Sequence, residues 1–224
     1  MSESMSPSTG LGVVHLFGKP GPDFDGQALL NSVKAAENAG VTVVCVSMLG
    51  HKADLAVMAL AADMRELRNL QTGVQRAGVG IVDSYVSLTE VSEYAKGMPA
   101  EMLNSRLYPQ LPPAGKNAWC FYPMSKRRNP GQNWFTLEYD RRKELMEEHG
   151  KSGRAFAGRV IQLVTGSTGL DDFEWGVTLF AVHPDDLKEV VYTMRYDEAS
   201  AEYAEFGSFY VGMVTPVHEL ISQL

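Results

Sequence analysis

Past its first ten residues, the chain alternates between two hydrophobic rhythms. Residues 12–17 form a short apolar run closed by Gly18 and the Pro20-Gly21-Pro22 turn, which predicts a strand. Over residues 25–39 the apolar positions Leu29, Leu30, Val33 and Ala36 recur at helical spacing until Gly40, predicting an amphipathic helix ended by glycine. Residues 41–49 are β-branched and nearly unbroken, as in a strand covered on both faces. Asp54 is placed to cap a second helix with Leu55, Met58, Ala62, Leu67 and Leu70 inward, ending near Gly73. Residues 79–88 return to strand, so the half reads β-α-β-α-β, the content of a split βαβ unit.

The second half repeats that order. Strands are expected over 118–122, 159–165, 173–182 and 208–214, with helices over 137–149 and 183–197. Pro184 suits the first turn of the latter helix, and Asp185 and Asp186 suit its positive end. Two such halves predict an α+β fold: duplicated ferredoxin-like units forming a dimeric α+β barrel, two sheets packing into one barrel. The expected division is a disordered tail over 1–10, halves over 11–104 and 118–224, and a linker over 105–117 carrying Pro109, Pro112 and Pro113.

Composition narrows the function. With 45% hydrophobic and 21% charged residues the chain is globular rather than disordered. Lys+Arg 20 against Asp+Glu 27 gives −7, which disfavours nucleic acid as a partner. The longest apolar stretch, 55–62, is too short to span a bilayer. Cys45 and Cys120 are isolated, without CxxC spacing, and the start has neither a basic cluster nor an apolar segment, so a reducing cytoplasm is expected.

Three features could carry chemistry. Tyr122-Pro-Met-Ser-Lys126-Arg127-Arg128 places a phenol beside cations at a strand end, which is either a solvated loop or a cradle for a small carboxylate or phosphate ligand. His149 shares a helix face with Leu145 and Met146, as a packed core imidazole would, or as the single protein ligand of a haem iron. Gly150, Gly153 and Gly158 leave room nearby for something flat. His15, His51, His183 and His218 lack zinc-site spacing. The loop 166–172 lacks the Gly-Lys-Ser/Thr ending of a P-loop, so turn chemistry accounts for it better.

The runs FYPMSKRRNPGQNW (121–134), LMEEHGKSGR (145–154), GSTGLDDFEWGVTLFA (166–181) and MRYDEASAEYAEFGSFYVG (194–212) closely resemble the chlorite dismutase-like family. They are most similar to its coproheme decarboxylase branch, the type found in Firmicutes. The resemblance implies hydrogen peroxide-dependent oxidative decarboxylation of two propionates of Fe-coproporphyrin III (coproheme), giving haem b. It implies that His149 is the axial iron ligand, Tyr122 the tyrosine oxidised to a radical, and Lys126 the lysine beside the reactive propionate. Met124 and Trp134 match residues lining the porphyrin, while Arg106, Arg154, Arg195 and Ser200 match propionate-holding positions. Gln162 falls on the distal side where chlorite dismutases carry an arginine, which argues against chlorite chemistry. Phe135 stands where a second tyrosine is frequent in the family. The resemblance further implies a homopentamer and transient contact with the coproporphyrin ferrochelatase. Two alternatives stand beside this reading: a chlorite dismutase or haem peroxidase, and a non-catalytic haem-binding protein, which would need His149 but not Tyr122 and Lys126 together.

Overall fold

The computed structural model describes residues 3–95 and 97–224. The first half runs β1 (Gly12–Pro20), α1 (Gly26–Asn38), β2 (Thr42–Leu49), β3 (Leu55–Ala61), α2 (Met64–Arg76) and β4 (Val79–Thr89), followed by a short helix, α3 (Ala100–Leu107). The second half opens with β5 (Ala118–Lys126) and a small ribbon, β6 (Arg128–Asn129) and β7 (Gln132–Asn133). It continues through α4 (Tyr139–Arg154), β8 (Val160–Gly166), β9 (Trp175–Ala181) and α5 (Pro184–Met194). The short α6 (Glu198–Ala201) and β10 (Ala204–Phe206) precede β11 (Tyr210–Val214) and α7 (Val217–Ile221).

Each half is therefore β-α-β-β-α-β, one strand more than the hydrophobic pattern predicted for the first. The missed strand is β3. All seven of its residues are buried, between β1 on one side and β2 on the other. An unbroken apolar run offers no polar stripe for a helix to turn toward water, but it suits a strand with core on both faces. Ala56, Met58 and Leu60 face the barrel interior, while Leu55, Val57, Ala59 and Ala61 pack with α1 and α2. Helix α2 starts only at Met64, where Asp63, not Asp54, accepts the Arg65 backbone N–H.

The strand order β2-β3-β1-β4 in the first half recurs as β8-β9-β5-β11 in the second. The halves join where β11 pairs with β2 and β4 with β8, all antiparallel. The sheets of the two halves thus join into one closed barrel, as the duplication predicted, with β4 and β8 meeting over only two residue pairs, Leu88–Gly166 and Thr89–Thr165. Its interior is filled by Phe17, Met58, Trp119, Phe121 and Phe180.

Two further expectations change. Of the segment expected to be a disordered tail, residues 1–2 lie outside the described residues. Met5 is held against α2, its N–H donating to Asp63 Oδ1 at 3.2 Å and its C=O accepting from Met64 N at 2.9 Å. That contact satisfies a first-turn amide that α2 cannot pair internally. The expected linker over 105–117 begins inside α3, whose Leu107 C=O accepts from Thr89 Oγ1 at 2.9 Å.

Interior packing leaves little room at β9. A Cβ on Gly176 would lie 2.8 Å from Tyr85 Cε1, 3.1 Å from Phe121 Cε2 and 3.1 Å from Thr165 Oγ1. Gly176→Ala should destabilise the protein by about 1–3 kcal/mol, the usual penalty for overpacking. Urea unfolding measures it, and an unchanged midpoint would show that the barrel interior is looser than these distances indicate.

Candidate functional site

Along β5 the side chains alternate between two environments, as strand geometry requires. Trp119 and Phe121 enter the barrel core. Cys120 and Tyr122 point outward into a second cluster with Val177 and Leu179 of β9, Leu187 and Val190 of α5, and Phe156, against which Met124 packs. Lys126 continues the same register at the strand end. Pro123 is tolerated within this strand because the ladder along one edge is interrupted there. β11 pairs with residues 118–121, β10 with 124–126, and Pro123 C=O accepts from Gly207 N at 2.8 Å.

Tyr122 is 6% exposed, stacked on Phe209 with centroids 4.5 Å apart and edge-on to Phe206 at 5.6 Å. Burial, with a smaller contribution from Cys120, pushes its phenol well above the ordinary range, so it is neutral at physiological pH. Among the described residues its hydroxyl has no hydrogen-bond partner. Gln162, opposite Leu179 in the β8–β9 ladder, is exposed on this same sheet face.

Lys126 is buried. Its ammonium lies 4.4 Å from the centre of the Trp134 ring and donates to Ala199 C=O at 2.5 Å. Burial lowers its pKa to about 8, against the pull of Asp197 and Glu174 in the other direction. Trp134 is itself buried, edge-on to Tyr203 at 5.4 Å.

The α4 pattern puts Leu145 in the core and His149 one turn later at its margin. His149 Nδ1 lies 3.0 Å from Asp197 Oδ2 and 3.3 Å from Ser200 Oγ. Asp197 also caps α6, its Oδ1 accepting from Ser200 N at 2.9 Å. Burial raises its carboxyl pKa, but the bonds and charge from His149, with the bonds to Ser200, outweigh that and hold the pKa below the ordinary value. An ionised carboxylate only accepts, so Nδ1 carries the hydrogen, and in the neutral imidazole the Nε2 lone pair is the one left for a metal. That is the arrangement of a metal-ligating imidazole with an orienting carboxylate. Asp197 did not emerge from the sequence. Its only local signal was a helix-cap pattern, Asp197-Glu198-Ala199-Ser200, 48 residues from the histidine.

His149, Ser200, Lys126 and Trp134 thus form one connected cluster through Asp197 and Ala199. Tyr122 and Met124 share the adjoining strand face. Arg154 closes α4 and is exposed. Arg195 closes α5, its guanidinium 3.9 Å from the Tyr192 ring centre and bonded to Tyr196 Oη at 3.2 Å. Arg106 is exposed in the last turn of α3, and no bond joins it to the cluster among the described residues. Two surface concavities, one lined by Ser47 and Gln223, the other by Cys45 and Pro216, lie elsewhere and lack this chemistry.

The donor set fits a metalloporphyrin. Among the described residues no group of three or more His, Cys, Asp or Glu could hold a bare metal ion. A single oriented imidazole therefore suits a metal whose remaining ligands arrive with it. The α4 flank beside His149 is open: a Cβ at Gly153 would meet only Met194 Cε, at 3.8 Å. The apolar sheet face and the two exposed arginines match a flat ring edged with carboxylates.

A chlorite dismutase family model matches residues 25–215. A coproheme decarboxylase of Staphylococcus carnosus (strain TM300) is 43% identical over 184 residues, covering 78% of this chain and 73% of that protein. Among solved structures, a haem-binding protein from Thermus thermophilus is 32% identical with a TM-score of 0.85, the match covering 98% of this chain and 96% of that one. A mutant chlorite dismutase of Candidatus Nitrospira defluvii has a TM-score of 0.77 at 17% identity, over 97% and 96% of the chains, a likeness of fold.

The buried ammonium has a consequence for stability. Lys126 titrates near pH 8 when folded and near its ordinary 10.5 when unfolded. Between those values the unfolded chain binds more protons, so ligand-free protein gains stability from this group as pH rises through the window. Thermal unfolding of parent and Lys126→Met between pH 7 and 11 should show the parent gaining on the variant above pH 8. A constant difference would contradict the buried-ammonium geometry.

Proposed function

Because this chain belongs to the chlorite dismutase family, we propose that it is a coproheme decarboxylase, using hydrogen peroxide to convert two propionates of coproheme to vinyl groups and yield haem b. The observation that carries this is the conjunction of a carboxylate-anchored His149 with a phenol and a buried lysine on one face of β5. A protein that only held haem would need the histidine alone.

The iron porphyrin, as substrate, supplies the oxidising chemistry with peroxide. Each propionate loses carbon dioxide and two hydrogen equivalents, and one peroxide takes these up as two waters. The protein's residues orient the ring and manage protons and charge. His149 Nε2 is offered to the iron, with its ring direction fixed by Asp197. Arg154, Arg195 and Ser200 are proposed partners of the propionates, Arg195 and Arg154 through bidentate guanidinium forks. Arg106 is retained as a propionate partner on the resemblance alone. Met124 and Trp134 line the ring, and Gln162 presents a neutral amide where a chlorite-cleaving enzyme would need a cation.

Tyr122 is proposed to give up its phenolic hydrogen atom to the oxidising equivalents that peroxide supplies with the iron porphyrin, and then, as a neutral phenoxyl, to take a hydrogen atom from the propionate β-carbon. Its phenol is neutral, and packing against Phe209 holds its ring in place. Lys126, titrating within reach of neutral pH, would hold or release a proton near the departing carboxylate. The proposal extends to a homopentamer, to transient receipt of substrate from the coproporphyrin ferrochelatase, and to a cytoplasmic location, supported by family membership. No described helix is long and apolar enough to cross a membrane.

Mass spectrometry of coproheme-loaded protein during peroxide titration tests the reaction. Two successive losses of carbon dioxide are expected, and an unchanged porphyrin mass would overturn it. Tyr122→Phe keeps the ring and its packing, so it should bind coproheme normally yet release little carbon dioxide. Turnover at the parent rate would remove Tyr122 from the mechanism. His149→Ala should weaken coproheme retention and shift the Soret band, whereas a parent-like ferric spectrum would reject it as the ligand.

A further inference from the structure

Tyr210 is better placed than Tyr122 to give up a hydrogen atom. Tyr210 Oη donates to Asp83 Oδ2 at 2.5 Å, and its ring stacks on Phe17 with centroids 3.8 Å apart. When a phenol loses an electron it becomes a strong acid. A carboxylate already bonded to it takes the proton in the same event, so the pair is oxidised more easily than a phenol with no base beside it. Tyr122 has no such partner among the described residues.

The two phenols are neighbours in the sheet. Tyr210 is the register partner of Phe121, next to Tyr122 on β5, and Phe209 is the residue stacked on the Tyr122 ring. Their side chains leave the sheet on opposite faces, Tyr122 outward under α5 and Tyr210 inward against Phe17. Lys52 Nζ sits 5.4 Å from the Tyr210 ring centre, held by Phe209 C=O at 2.6 Å. A nearby ammonium disfavours a positively charged ring, and that selects the route in which electron and proton leave together to give a neutral phenoxyl.

We propose that Tyr210 and Asp83 form a redox-active pair that takes over the radical from Tyr122 when no propionate is in reach, and this rests on the radical role proposed for Tyr122. Tyr210 gives one electron to the Tyr122 phenoxyl and its proton to Asp83. Tyr122 regains a proton from water, and Asp83, which is exposed, returns one to water. The sum is one hydrogen atom moved from Tyr210 to Tyr122, with no further oxidant or reductant. Oxidising equivalents left after the second decarboxylation are thereby kept away from the product ring.

The test uses coproheme-loaded holoenzyme given excess peroxide, freeze-quenched after carbon dioxide release is complete and examined by electron paramagnetic resonance. The parent should hold a long-lived tyrosyl radical. Tyr210→Phe should lose that signal and bleach its porphyrin faster, while releasing carbon dioxide as the parent does. Asp83→Asn keeps Tyr210 and its stacking and should lose the signal too, which separates proton acceptance from any effect on folding. A radical of parent yield and lifetime in Tyr210→Phe would overturn the pair. Should Tyr122→Phe decarboxylate at the parent rate, the underlying mechanism fails instead, a result read from carbon dioxide and not from the radical signal.

Discussion

A strand paired on both edges cannot slip by one residue without turning every side chain to the opposite face, and β5 is paired on both edges. Closure of the antiparallel ring therefore fixes the chemistry. Had β5 shifted by one position, Trp119 and Phe121 would face the helices, and Tyr122 and Lys126 would be buried in the barrel. The bulk of Trp119, Phe121 and Phe180 inside the ring penalises that slip, because polar groups put in their place would be desolvated without partners. The functional face is thus held by residues that do not touch it.

What the second half adds to the first is an imidazole beside a packed helix face. α1 and α2 pack on the barrel through an apolar cluster, whereas α4 carries His149 at the margin of its packed face. Asp197 binds two partners at once, the α6 amide of Ser200 and the ring of His149, so the carboxylate cannot swing away without uncapping a helix. Lys126 sits one backbone carbonyl from that arrangement through Ala199. A proton lost from Lys126 would change the field at Asp197 and hence the donor strength of Nε2. The proposed iron ligation and proton handling would in this way be linked through a few adjacent groups.

Some of this was legible in the sequence and some was not. Tyr122, Lys126 and His149 lie within short runs of unusual composition, but periodicity ended the strand at Tyr122 and the helix at His149, whereas β5 runs on to Lys126 and α4 to Arg154. β3 was hidden because LAVMALA has no alternation to distinguish a doubly buried strand from a buried helix. Asp197 was hidden because a cap and a histidine-orienting carboxylate look the same locally, and only folding brings it to His149. The Tyr210–Asp83 bond, 127 residues apart across the barrel, carries no local signal at all. Register and closure, which decide those contacts, are properties of the whole sheet.

The proposed site depends above all on the orientation of the His149 ring by Asp197. The iron–histidine stretching frequency of the ferrous coproheme complex reports that bond, since a carboxylate accepting the Nδ1 hydrogen makes Nε2 a stronger ligand. Resonance Raman spectra of parent and Asp197→Asn protein should show the stretch in both, at distinctly lower frequency in the variant. A parent complex with no iron–histidine stretch, or a frequency that does not move on the substitution, would contradict the proposed role of the pair.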